Sequence, residues 1–164
     1  QVRVAARDER GGQVGSALQW IEIPDLAKHQ LTLSSLLLGG TLVGDAKKEK
    51  PEQSPQVQFS VDRRFAHTSR FSFLLFIYNA LQPKAGAASG LTAQVQVLSS
   101  DGRVVVDAPA RPVQTAGATD FMRIPYAGSF PLQALTPGHY LLRISISDSA
   151  AHATATQQAA FIVE

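Results

Sequence analysis

Along the last quarter of the chain, Tyr140, Leu142, Ile144 and Ile146 alternate with His139, Arg143, Ser145 and Ser147. A period of two sends successive side chains to opposite faces of a strand and predicts one half-buried strand here. Ala93, Val95 and Val97 alternate in the same way with Thr92, Gln94 and Gln96. Ser99-Ser100-Asp101-Gly102 then supplies a turn before Val104 and Val106. Asp-Gly tolerates the positive φ angles of a tight hairpin, so these residues predict two strands and their connection. The run Phe71-Ser72-Phe73-Leu74-Leu75-Phe76-Ile77-Tyr78 is apolar at both parities. That pattern predicts a central strand with something packed over each side.

Further strands are expected over residues 31–38, 57–61 and 154–163 and around residues 121–124. No segment carries a sustained 3.6-residue apolar stripe with caps. Helical turns are confined to short pieces near Pro24-Asp25-Leu26 and Pro131-Leu132-Gln133. Two polar stretches, residues 44–56 and 82–90, lack the apolar content to pack and read as loops. Seven to nine short strands separated by turn signals predict an all-β chain, an immunoglobulin-like or fibronectin III-like two-sheet sandwich with an N-terminal hairpin in addition. A closed barrel is the second choice.

The two ends of the chain are alike. Val2-Arg3-Val4-Ala5-Ala6-Arg7-Asp8 lies over Leu142-Arg143-Ile144-Ser145-Ile146-Ser147-Asp148, and Trp20-Ile21-Glu22-Ile23 resembles Phe161-Ile162-Val163-Glu164. Residues 1–23 therefore read as a terminal hairpin of the kind that ends a preceding sandwich repeat, and residues 24–164 as the immunoglobulin-like domain. An isolated hairpin is marginally stable and exposes strand edges, so the hairpin is expected to be held by the rest of the chain or by a second copy in a homodimer.

Composition narrows the function classes. With 164 residues, 45% of them hydrophobic and 17% charged, the chain is long enough to bury its own core. Fifteen Lys and Arg against thirteen Asp and Glu leave a net charge of +2. The densest basic cluster, Lys47, Lys48 and Lys50, is offset by Asp45, Glu49 and Glu52, so no basic stripe suits nucleic acid. Without cysteine there are no disulfides and no thiolate metal sites. No apolar run approaches the roughly 20 residues of a membrane span, and the first residues carry no signal-peptide pattern. The chain reads as part of a longer polypeptide.

Candidate chemistry is sparse. His29, His67, His139 and His152 show no ligand-like spacing with one another or with Asp or Glu. Ser34-Ser35 and Ser145-Ile146-Ser147-Asp148-Ser149 lack the Gly-x-Ser-x-Gly setting of a nucleophile. Asp8, Glu9, Glu22, Asp25, Asp62, Asp101, Asp107, Asp120 and Asp148 form no evident carboxylate pair. Asp8 and Asp148, each just after a strand, are expected to cap turns through side chain to backbone hydrogen bonds, with calcium at these loops the weaker alternative because no dense Asp/Asn/Gly run accompanies them. Tyr140, after Pro137-Gly138, is expected to pack in the core or to bond its hydroxyl to a nearby turn, beside a type II turn. Trp20 is expected to pack in the hairpin. No catalytic, cofactor-binding or metal-binding residue is assigned.

Val14-Gly15-Ser16-Ala17-Leu18-Gln19-Trp20-Ile21-Glu22-Ile23-Pro24-Asp25-Leu26, followed by Leu31-Thr32-Leu33-Ser34-Ser35-Leu36-Leu37-Leu38, resembles the C-terminal β-rich region of bacterial VWFA-related (von Willebrand factor A domain-containing) proteins. Arg63-Arg64-Phe65, Tyr78-Asn79-Ala80 and Leu135-Thr136-Pro137-Gly138-His139-Tyr140 follow in matching order. The resemblance implies an extracytoplasmic, secreted or periplasmic location and an upstream von Willebrand factor A domain as partner. The A domain's metal motif, Asp-x-Ser-x-Ser, is not found in this sequence. The expected function is that of a non-enzymatic structural or protein-interaction module with an unknown protein partner. A carbohydrate-binding accessory domain is the alternative, and a hydrolase the remotest reading.

Overall fold

The computed structural model of the chain describes residues 2–19, 25–42, 58–83, 89–115 and 120–164. Trp20 and Glu22, the lysines at 47, 48 and 50, the first expected loop and the centre of the second lie outside the described residues. The rest is all-β. The strands are β1 (Val2–Arg7), β2 (Val14–Gln19), β3 (Thr32–Leu33), β4 (Leu37–Leu42), β5 (Gln58–Phe59), β6 (Arg64–Phe65), β7 (Ser69–Tyr78), β8 (Leu91–Ser99), β9 (Val104–Pro112), β10 (Arg123–Pro131), β11 (Gly138–Asp148) and β12 (Ala153–Val163). The two expected helical turns are 3-10 turns at Leu26–Lys28 and Leu132–Ala134.

Two five-stranded sheets carry the core. The first runs β10-β7-β4-β5, with β3 also on β7, and the second runs β6-β12-β11-β8-β9. Neither sheet closes on itself among the described residues, so the barrel alternative is not what forms. Pairing is antiparallel except for the short contact of β6 with β12. The inward row of β7, Phe71, Leu75 and Ile77, is fully buried, as are Leu142, Ile144 and Ile146 of β11. Phe71 meets Phe161 of the opposite sheet with ring centroids 4.6 Å apart, and Phe65 stands edge-on to Phe71 at 4.9 Å. Side chains of this size each contribute roughly 1.5–3 kcal/mol on leaving water, and together they join the two sheets.

Three departures from the pattern reading have local causes. Residues 31–38 do not form one strand: β3 and β4 pair with separate parts of the same edge of β7. Across the gap the Ser34 N–H donates to the Phe76 carbonyl at 2.9 Å, and the Ser34 hydroxyl accepts the Phe76 N–H at 2.9 Å. A side chain thus stands in for one rung of the ladder. The strand expected near residue 124 runs on to Pro131 despite Pro125, Gly128 and Pro131, because β10 is an edge strand and tolerates missing donors. Gly138 opens β11, and the left-handed glycines among the described residues are Gly12 and Gly102. No type II turn forms at Pro137-Gly138. The corner is held instead by the Tyr140 hydroxyl, which donates to the Thr136 carbonyl at 2.8 Å.

The N-terminal hairpin forms with β1 antiparallel to β2 and with no other described strand paired to either. Every described side chain from residue 2 to 17 is exposed. The body of the chain therefore does not bury the hairpin through these residues.

Candidate functional site

The connections at one end of the two sheets are tied by two polar side chains, a buried Asp148 and a half-buried Asn79. Asp148, 2% exposed at the end of β11, accepts the Leu81 N–H at 2.9 Å through one carboxylate oxygen and the N–H groups of Ala150 and Ala151 at 3.0 and 3.1 Å through the other. Asn79 takes a left-handed φ of 57° just after β7, a conformation Asn accepts more readily than most residues. Its side-chain amide donates to the carbonyls of Leu26 and Gln30 at 3.1 and 3.3 Å.

Between these ties lies a cleft of about 630 Å³ whose walls include His29, Gln30, Asn79, Leu81, Met122 and Thr154. His29 is its only titratable group among the described lining residues. That imidazole belongs to the left-handed residue ending the 3-10 turn, with φ 50°. Acid–base chemistry needs a second positioned group within reach, and the neighbouring polar side chain, Asn79, is already committed to the backbone.

The other singled-out residues are likewise spread over the surface and turns. His67 pairs its Nε2 with the Gln133 carbonyl at 3.1 Å, His139 is exposed on β11, and His152 takes φ 50° in the β11–β12 turn. Asp8 accepts the Arg10 and Gly11 N–H groups at 3.0 and 2.9 Å, so both Asp8 and Asp148 are turn caps. Asp25 caps the 3-10 turn through the Ala27 N–H, and Asp120 accepts the Met122 N–H. Asp107 accepts the side-chain amides of Gln94 and Gln96. Ser60 donates to Asp62 and Ser99 to Asp101, which holds both carboxyls below their ordinary range. Ser145 and Ser147 pair across the strands with Thr156 and Thr154, both at 3.0 Å. No group of three His, Cys, Asp or Glu that could hold a metal occurs among the described residues, and no described helix is long and apolar enough to cross a membrane.

The feature that pattern reading missed is the outer face of the first sheet. Ser72, Leu74, Phe76 and Tyr78 point away from the core, and only Ser72 of these is buried. Register places Leu37 and Ala127 on either side of Leu74, and Pro125 beside Phe76. Leu37 is 42% exposed, and Ala127 and Pro125 are exposed. An apolar strip therefore crosses β4, β7 and β10 without a covering layer of described residues. Arg70 at one end bonds Ser129 at 3.0 Å, and at the other the Arg123 guanidinium stands 4.2 Å over the Phe76 ring. The double-sided apolar run was the sequence signal, and it implied a cover on both faces.

These features define the class, an all-β protein whose described residues form two five-stranded sheets and an appended hairpin. A scan against models of known protein families finds no match to the chain, and a search of curated proteins finds none either.

Proposed function

We propose that the chain is a non-enzymatic interaction module, an immunoglobulin-like sandwich within a larger exported bacterial VWFA-related protein, that binds a protein partner through the outer face of its first sheet. The observation that carries the reading is the apolar strip of Leu37, Leu74, Ala127, Phe76 and Pro125, over which no further strand or helix is packed among the described residues, with Arg70 at one end and Arg123 over Phe76 at the other. Apolar centres rimmed by arginine suit a partner that brings apolar side chains and carboxylates. The upstream A domain is the partner of choice, since it is tethered to the same polypeptide and so present at high effective concentration.

Strand addition at the sheet edges is the less favoured mode of docking. The long edge strands carry Pro109 and Pro112 in β9 and Pro125 and Pro131 in β10, which remove backbone donors an added strand would need. A carbohydrate-binding role would draw on Phe76 and Tyr78, whose rings lie 6.5 Å apart. Arg123 covers the Phe76 ring, which takes away one of the open faces that sugar stacking requires.

The absence of cysteine permits a direct test. Ala127→Cys introduces a single thiol on the strip, and its maleimide labelling rate is compared in this chain and in the parent polypeptide carrying the upstream domain. Labelling slowed at least about tenfold in the parent supports the reading, a tenfold change corresponding to ~1.4 kcal/mol of protection. Equal rates overturn it.

A further inference from the structure

The β1–β2 hairpin repeats the β11–β12 hairpin in register. Adding 140 to each residue number turns the pair Val4 and Ala17 into Ile144 and Gln157, and Arg7 and Val14 into Ser147 and Thr154, all of which are observed partners. The turns agree as well. Asp8 caps the N–H groups two and three residues on, at Arg10 and Gly11, and Asp148 caps those at Ala150 and Ala151. Four residues after each aspartate the backbone is left-handed, at Gly12 with φ 67° and at His152 with φ 50°. A non-glycine residue is uncommon there, so the shared conformation reflects the turn itself and not the presence of glycine. Carried along the sequence, the same spacing matches Ile21 with Phe161 and Ile23 with Val163, one position away from the match of Trp20 with Phe161.

What differs is burial. Leu142, Ile144 and Ile146 are fully buried against the first sheet, whereas Val2 and Val4, their counterparts, are 45% and 58% exposed, and Ala6 is exposed with them. β11 also pairs with β8 along its second edge, while β1 pairs with no described strand there. The hairpin has the face and edge of a sheet member without the sheet. A second copy of this chain offers no matching vacancy, because its own β11–β12 fills that place.

We propose that β1–β2 is the closing hairpin of a separate two-sheet unit of the same kind, whose other strands lie N-terminal to Val2 in the parent polypeptide. Its Val2, Val4, Ala6 and Ala17 face docks on the inner side of that unit's opposite sheet, as β11 docks on Phe71, Leu75 and Ile77 here. The parent polypeptide is then a tandem array with a period near 140 residues, the spacing set by the two registers. This inference rests on hairpin geometry and is independent of the family resemblance and of the outer-face docking.

The test is hydrogen exchange over residues 2–19 in this chain and in the parent polypeptide extended N-terminally by one further unit, with light scattering on both. Fast exchange in this chain as a monomer, slowed on the order of 100-fold in the longer polypeptide, supports the proposal. In the longer polypeptide, Val4→Asp should abolish that protection while residues 69–78 and 138–148 keep theirs. Equal exchange in the two polypeptides overturns it, as does a Val4→Asp variant that stays protected. A hairpin protected in this chain as a dimer also overturns it and assigns the face to a second copy.

Discussion

The carboxylate of Asp148 and the backbone N–H of Leu81, 67 residues apart in sequence, meet at 2.9 Å and join the end of β11 to the segment that follows β7. The other carboxylate oxygen caps the β11–β12 turn. Asp148→Ala removes three charge-assisted bonds from a buried position and should cost about 2–4 kcal/mol. Asp148→Asn keeps acceptor capacity and should cost less. Urea unfolding of the two variants beside the parent chain checks the order.

Gly128 on β10 makes room for the Phe73 ring. A Cβ there would stand 2.5 Å from Phe73 Cζ and 2.8 Å from Cε1, and Phe73 is buried. Gly128→Ala should destabilise the chain by roughly 1–3 kcal/mol through overpacking. Phe73→Leu removes the colliding ring edge, so the double variant should be more stable than the sum of the single changes implies. A double-mutant cycle by thermal or chemical unfolding measures that coupling.

Tyr140 spends its hydroxyl within its own corner, donating to the Thr136 carbonyl at 2.8 Å, while its ring stacks on Phe161 at 5.7 Å. Tyr140→Phe should lose about 1 kcal/mol and Tyr140→Ala about 3–5 kcal/mol, because the first removes only the bond and the second the packing too. Melting curves of the two variants separate these contributions.

Asp62 and Asp101 should titrate below the ordinary carboxylate value of 3.8, chiefly because Ser60 and Ser99 donate to them, with the Arg64 and Arg103 N–H groups adding to the effect. A depressed folded-state value means that any stabilisation is present above 3.8 and is lost as pH falls through the lower, folded value. Both groups are exposed, so the contribution to stability is small. In carbon-detected NMR titrations, Ser99→Ala should raise the Asp101 midpoint and leave Asp62 where it was.

A chain beginning at Leu18 should keep the fold of the remaining residues. The hairpin's described side chains from 2 to 17 are all exposed, so their loss should change unfolding free energy by less than ~0.5 kcal/mol. Gel filtration with light scattering should show both the full and shortened chains as monomers. A dimer that disappears on truncation would identify the hairpin as an association element between copies.

The strands legible in sequence are those whose pattern follows from one simple condition, water on one face and core on the other. β8 and β11 fall where alternation put them, β9 and β12 fall where further strands were expected, and the Asp101-Gly102 turn joins β8 to β9 with Gly102 at φ 81°. The turn caps at Asp8 and Asp148 were equally readable, because a short acceptor side chain after a strand acts on N–H groups two and three residues away. β10 was legible only at its start, since proline and glycine disfavour strands unless the strand lies at an edge, and edge position is a property of the whole sheet. Nor did period and composition reveal the break at Ser34, because its rung is completed by Phe76, 42 residues on.

The candidate docking face shows the same division. Sequence by itself determined that residues 71–78 are apolar at both parities. It also made the likeness of the two hairpins visible, since register and turn chemistry are local. Only tertiary structure decided that Phe71, Phe73, Leu75 and Ile77 look into the core, that Leu74 and Phe76 look out with no covering layer among the described residues, and that Arg123 comes to rest over Phe76. Which face is covered depends on where distant strands and the second sheet are placed, and that placement is set by the sum of long-range contacts, which no window of neighbouring residues contains.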